Sequence, residues 1–263
     1  LINSNFERVF YKNYVSFSTT ILNLYMVRVC THLGEHSPLT HTTYSYDYSA
    51  AIRENRLLNR EKYSQLKLLA QFLKVSKAYL TTQPSNQSPA DTVNRSAFTS
   101  NPSLAVTQLA DIVGNKTVFW IPYLITHKHA AYNSLDDSTY KLQLPTTKGN
   151  FSIPALGGTL RLNGRDSKIH VTDYNMAGIE ILYSSREILT WYRFSTKTIL
   201  VIHGFLDEVH EIAVLITSEP AGTVQVIQGP AFQKASRIDD IVTINYNISS
   251  SRTIIEVSSR LQI

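Results

Sequence analysis

The change of hydrophobic period near residue 100 constrains this chain more than any other feature. Upstream, apolar residues recur three and four positions apart; downstream, they alternate in short runs. Period 3.6 gathers side chains on one helix face and period 2 gathers them on one strand face, so neither pattern can serve the other structure. Between them, Thr81 to Ser103 is rich in Ser, Thr, Asn, Gln and Pro, as at a domain boundary or in a long surface loop. Two units are therefore expected, residues 1–80 and residues 81–263.

In the second unit the expected strands are Thr117 to Thr126, Thr139 to Leu144, Asn150 to Pro154, Ile179 to Tyr183 and Ile188 to Phe194. Thr198 to Gly204, Val209 to Thr217, Thr223 to Gln228, Ile241 to Tyr246 and Thr253 to Val257 continue the series. Short strands at this spacing describe an antiparallel all-β domain. Asn163-Gly164, between Thr159–Leu162 and Ser167–Val171, predicts a tight hairpin. A type I′ turn needs positive φ, which Gly takes freely and Asn tolerates. On this reading Arg165, Asp166 and Lys168 are solvated charges on the hairpin shoulder, with a local Asp-to-backbone bond.

In the first unit, Ser4 and Glu7 fit a capping box, followed by Phe6, Val9 and Phe10 at helical spacing. Leu22 to Val29 is strand-like. Asn59 to Leu80 reads as a second helix, with Asn59 as N-cap and Tyr63, Leu66, Leu69, Ala70 and Leu73 on one face. Helix, strand, loop, helix is a piece of an α/β unit, and a lone strand has no sheet to join. Helix faces with nothing opposite should be partly disordered or aggregate.

A chain of 263 residues with 43% apolar content can bury a sizeable core. The net charge of +5 is small and its basic residues are scattered, unlike the stripe that tracks a phosphate backbone, so nucleic acid is not an expected partner. No apolar run approaches the roughly 18 residues of a membrane span. The start at Leu1 lacks the charged and apolar regions of a signal peptide, and the chain is read as part of a longer one. The single cysteine, Cys30, excludes an internal disulfide or cysteine-rich metal site and is expected to be a small buried hydrophobe. His32 and His36 are spaced i, i+4, but Gly34 and Pro38 oppose a helix there; His127 and His129 share a strand face without a third ligand nearby. No metal or cofactor is expected, and no nucleophile elbow or phosphate-binding Gly-Lys loop occurs. Glycosylation sequons at Asn94, Asn115, Asn150 and Asn247 tilt the chain toward secretion; a further one at Asn86 is weakened by Pro89.

Asn23-Leu24-Tyr25-Met26, Ser45-Tyr46-Asp47-Tyr48, Arg60 to Lys67 and above all Gly157 to Asn175 resemble, in order, the fungal β-galactosidases of glycoside hydrolase family 35. The resemblance covers nearly the whole chain. It implies that residues 1–80 are the end of a (β/α)₈ TIM barrel and the remainder the family's all-β second domain. The fold class is then mainly β, an antiparallel all-β domain preceded by a helix-strand-helix barrel remnant.

The resemblance also implies a parent enzyme that is extracellular and monomeric and hydrolyses terminal β-galactosides with retention. The family places its acid/base glutamate after strand four and its nucleophile at strand seven, both upstream of Leu1, so no catalytic residue is expected here. Glu7 reads as a cap, Glu54 and Glu61 lie in or near a helix, and Glu35 is a solvated loop carboxylate. By position in the family motif, Tyr48 corresponds to a tyrosine that contacts galactose, with Tyr46 and Asp47 shaping its loop. Val29-Cys30-Thr31-His32-Leu33-Gly34 departs from the family's Gly-Gly-Thr-Asn, aromatic, Gly, losing two glycines and a sugar-facing ring. The alternative is a noncatalytic β-domain that binds carbohydrate or packs on a partner.

Overall fold

The computed structural model describes residues 4–24, 27–28, 31–32, 44–45, 50–53, 55–85, 98–114, 116–124, 137–216, 223–230 and 233–258. Among the described residues there are two α-helices, α1 (Ser4–Ser16) and α2 (Arg60–Val75), with a 3₁₀ turn at Lys77–Thr81. The first strands are β1 (Thr31–His32), β2 (Tyr44–Ser45), β3 (Thr82–Pro84), β4 (Leu104–Asp111), β5 (Val118–Leu124) and β6 (Ser138–Tyr140). Then come β7 (Leu142–Thr146), β8 (Gly149–Ile153), β9 (Leu160–Leu162), β10 (His170–Met176), β11 (Ile179–Ser184) and β12 (Glu187–Arg193). The last are β13 (Thr198–His203), β14 (Val209–Leu215), β15 (Thr223–Gln228), β16 (Lys234–Ile238), β17 (Ile241–Asn247) and β18 (Ile254–Ser258).

An eight-stranded antiparallel sheet in the order β16-β17-β14-β11-β10-β5-β4-β3 forms the middle layer. Alternation divides its side chains between two cores. Phe119, Ile121, Ile181, Ile212 and Val242 meet Val15 of α1, Phe72 of α2, Tyr79, and the inner faces of the β12–β13 and β15–β18 ribbons. Trp120, Leu182, Tyr183 and Ala213 face the other way, against the β6–β9 and β7–β8 pairs. Both faces of the central strands are thus covered, which is why Val118 to Ile121 is continuously apolar.

The helices are not left uncovered, contrary to the expectation from their sequence. Phe72 sits edge-on to Phe119 with ring centroids 5.9 Å apart, and Tyr79 donates its hydroxyl to Thr19 O at 2.8 Å. Burying side chains of this size contributes roughly 1.5–3 kcal/mol each. The buried anchor of α2 is Phe72, whereas Ala70, placed on the apolar face by periodicity, is exposed. Asn59 occupies the N-cap position without a side-chain cap bond. Glu7 faces Lys62 of α2 at 3.3 Å. The strand expected over 22–29 is absent from its described residues; Arg28 makes an isolated parallel bridge with Ile52. A strand without neighbours gains no ladder hydrogen bonds.

The hairpin expected at Asn163-Gly164 does not form. Gly164 does take positive φ, +59°, but β9 pairs with β6 while β10 pairs with β5 and β11. The intervening segment dives into the interior instead of crossing back along its own strand.

Candidate functional site

That segment delivers charge to the core. Asp166, Ser167, Lys168 and His170 are buried, which overturns the reading of Asp166 and Lys168 as solvated. The local Asp-to-backbone bond does form, from Ser167 N to Asp166 Oδ1 at 2.9 Å. Burying an ion is costly unless it is paired and hydrogen-bonded, and partners arrive from four other places in the chain.

Glu208, just ahead of β14, is the hub. Lys168 donates to its Oε1, as does Asn163 Nδ2 at 2.9 Å. Arg186 Nη1 donates to Oε2 at 2.9 Å, His210 Nε2 lies 3.1 Å from it, and Phe205 N donates at 3.2 Å. Burial opposes ionisation of Glu208, but the His210 hydrogen bond and the Lys168 ammonium outweigh it and hold the carboxyl well below its usual range. Burial likewise drives His210 down to about 4 despite Glu208, so its imidazole is neutral near pH 7. Its Nδ1 lies 3.0 Å from the Ser185 carbonyl oxygen and 3.4 Å from Ser185 Oγ, so both ring nitrogens have an oxygen partner.

A second pair flanks the hub. Lys12 of α1 lies 2.6 Å from Glu187 Oε1 and also donates to Ser167 O. Glu187 further accepts from Ile169 N at 3.0 Å. Burial would raise its pKa, but Lys12 and other nearby positive charge bring it to about 2. His170, at about 3 through burial, shares a 2.9 Å hydrogen bond with Tyr140.

The third carboxylate, Glu211, has no exposed surface and works on backbone. Its oxygens accept from Ala155 N at 2.6 Å, Leu156 N at 2.8 Å, Tyr183 OH at 2.7 Å and Asn245 Nδ2 at 3.2 Å. This pins the Ala155–Gly158 loop to the sheet. Gly158 follows at φ +86°, where a Cβ would lie 3.0 Å from Val209 Cγ1, so the loop can pass β14 only as glycine.

Gly204 is required for space alone. A Cβ there would overlap the Arg186 guanidinium at 1.3 Å from Nη1, and Arg186 is 1% exposed with nowhere to retreat. Gly204→Ala is expected to push Arg186 off Glu208 and to cost about 1–3 kcal/mol as overpacking. Urea unfolding of the variant measures this; an unchanged midpoint would refute the assigned packing.

Chemically, these carboxylates are committed. Glu187 and Glu208 are held below the usual carboxylate range, the opposite of what a general acid needs, and Glu187, Glu208 and Glu211 are each engaged by protein donors. The cavity beside the second pair, about 20 Å³ between α1, α2 and Glu187, has room for about one water. An open groove of about 530 Å³ is lined by Thr99, Ser100, Thr139, Gln143, Ser152 and neighbours, without a carboxylate. The arrangement fastens a β-domain together and seats a helix upon it. Sequence reasoning missed Lys12, Arg186, Glu187, Glu208, His210 and Glu211, because each is an ordinary surface-type residue until the fold brings it inward.

Of the residues singled out from sequence, Tyr46, Asp47, Tyr48, Cys30, Glu35, Glu54, Asn86, Asn94, Asn115, His36, His127 and His129 lie outside the described residues. Glu61 is exposed in the first turn of α2. Asn150, on β8, and Asn247, at the end of β17, are exposed. No helix among the described residues is long and apolar enough to cross a membrane, and none of their His, Cys, Asp and Glu side chains group into a metal site.

Fold and network define a mainly β module whose three-layer core is locked by buried ion pairs and capped by two helices. The family description "Beta-galactosidase, domain 2" matches residues 86–263, and "Glycosyl hydrolases family 35" matches residues 1–73. The chain belongs to the β-galactosidase domain 2 family, preceded by a segment that matches glycosyl hydrolases family 35. It is 43% identical over 259 residues to β-galactosidase A of Aspergillus niger, and 42% identical over 259 residues to a probable β-galactosidase A of Neosartorya fischeri. It is 41% identical over 261 residues to β-galactosidase A of a Penicillium species. Each comparison covers 98% of this chain and 24% of the relative, so the chain spans about a quarter of the length of these relatives.

Proposed function

We propose that this chain is the end of the catalytic barrel, residues 1–80, together with the second domain, residues 81–263, of a secreted, retaining β-galactosidase that removes terminal β-linked galactose. On its own it carries no turnover. The observation that carries this reading is similarity along 98% of the chain to β-galactosidases four times its length. Retention requires two carboxyl groups about 5 Å apart across a sugar cleft. Glu187, Glu208 and Glu211 are instead occupied by lysine, arginine and backbone donors. The role left to the module is mechanical, a rigid β-domain on which the last helices of the barrel are seated. Exposure of Asn150 and Asn247 supports passage through a secretory route.

The test is to produce the chain through a eukaryotic secretory host beside a version extended upstream by the barrel. The chain alone is expected to carry glycan at Asn150 or Asn247 and to release no chromophore from a nitrophenyl β-galactoside, while the extended version hydrolyses it. Turnover by the short chain that disappears in Glu35→Gln would overturn the proposal. Galactose binding without turnover would instead favour a carbohydrate-binding module.

A further inference from the structure

Two basic side chains from different elements flank Glu187. Lys12 reaches it from α1 at 2.6 Å. His203 is its directly opposed partner across the β12–β13 ladder, a position where side chains sit about 5 Å apart at Cβ. Lys12, Glu187 and His203 line the same small cavity, whose α1 wall also holds Glu7, Arg8 and Tyr11.

The other charged groups around this seam are already engaged or of like sign. Glu7 faces Lys62 of α2, and Arg8 covers the Phe205 ring at 4.4 Å. Arg186 points to Glu208, which also holds Lys168 and neighbours His210. Asp166 lies 3.7 Å from Lys168, and His170 is bonded to Tyr140. Glu187 therefore has two basic neighbours, Lys12 in an ion pair and His203 opposite it across the ladder, and only Lys12 belongs to the helix.

We propose that this seam is an acid-operated latch. With His203 neutral, Glu187 belongs to Lys12 and α1 stays docked; once His203 is protonated it competes for the same carboxylate, and α1 lifts from β12 before the sheet unfolds. Lys12 is 8% exposed, and an ammonium in that position without its counterion is driven toward water. Burial places His203 at about 4, with Glu187 pulling upward and Lys12 and Arg186 downward. Glu187, at about 2, stays ionised through that range and so remains the contested partner. Glu7, raised to about 7 by burial against the pull of Lys62, is by then protonated. That leaves Lys12–Glu187 as the working ion pair of α1 among the described residues.

Hydrogen exchange read by mass spectrometry on the full chain tests this, with rates corrected for intrinsic pH dependence. Between pH 6.5 and 4, amides of α1 are expected to lose protection at least tenfold more than those of β10 and β11. In His203→Gln, which cannot take up the proton, that difference should vanish while protection at pH 6.5 is kept. Lys12→Met should show weakened α1 protection at pH 6.5 that no longer depends on acid; should that variant fail to fold, His203→Gln decides alone. Equal loss of protection in α1 and β10–β11, or the same α1 profile in wild type and His203→Gln, would overturn the latch.

Discussion

Replacing Glu208 by alanine is expected to destabilise the fold by about 3–5 kcal/mol, the cost of breaking a buried ion pair from one side. The reason lies in what is left behind. Lys168 and Arg186 are 3% and 1% exposed, and both lose their counterion. Arg186 donates through Nη1 alone, with Nε and Nη2 lacking partners among the described residues, so its burial depends on this carboxylate. Lys168 would keep the Arg161 carbonyl and a distant Asp166. The Phe205 amide and Asn163 side chain are orphaned as well, at about 1–3 kcal/mol for each buried unsatisfied group. Glu208→Gln keeps an acceptor but not the charge and should fall between. The exposed Lys148–Asp240 pair supplies the control, since Lys148→Ala should leave the urea midpoint where it is. A Glu208→Ala midpoint within error of wild type would refute the hub assignment.

The network also marks how far the sequence could be read. The sheet was legible because burial on a pleated surface writes itself as alternation: Ile241 to Tyr246, Val209 to Thr217 and Ile179 to Tyr183 appear as β17, β14 and β11. Strands that pay no such toll in apolar residues were not seen. β16 is an edge strand, Lys-Ala-Ser-Arg-Ile, largely exposed, and β3 is three residues ending in Pro84, as suits an edge. β4 begins one residue beyond the polar stretch that masks it, with only Leu104 and Leu109 fully buried.

The site failed for a different reason. Asn163-Gly164 marks a bend, where Asp166 N donates to Gly164 O at 2.9 Å, but a local bend specifies only its own few residues. Whether the chain returns beside itself depends on competing partners, and β5, β6 and β11 were better ones. Asp166 and Lys168 look like surface charges because the residues that neutralise their surroundings lie far away, Lys168 and Glu208 being separated by 40 positions and Lys12 and Ser167 by 155. Family resemblance marked Gly157 to Asn175 as the most distinctive stretch without giving its physical cause. The cause is now visible: glycine clearance past Val209, the Glu211 clamp on Ala155 and Leu156, and the buried charges that follow. Asp173 completes it, held at φ +49° while its carboxylate accepts from Thr147 N at 3.1 Å.

Stability should fall steeply as the solution is acidified from neutral. His170, His203 and His210 lie at about 3, 4 and 4 in the fold against 6.5 unfolded, burial being the leading cause in each. Between those values the unfolded chain binds protons that the fold refuses, so stability present above about pH 6.5 is lost as pH drops toward 4. Glu187 and Glu208, lowered in the fold, extend the loss below 4.5. Glu7 and Asp166 act oppositely, because burial raises both; their contribution is present in acid and fades as pH rises, for Glu7 through about 7. Three protons refused against one or two accepted leaves a net of roughly one to two near pH 5.5, or about 1.5–3 kcal/mol lost per pH unit. Urea unfolding at pH 7.5, 6.5, 5.5 and 4.5 should trace that slope. His210→Gln should flatten it by one proton's share, about 1.4 kcal/mol per pH unit, even if it lowers stability at pH 7.5. A profile level from pH 7.5 to 4.5 would mean that these imidazoles are reachable by water in the fold, and would remove the basis for a dry charge network at the centre of the domain.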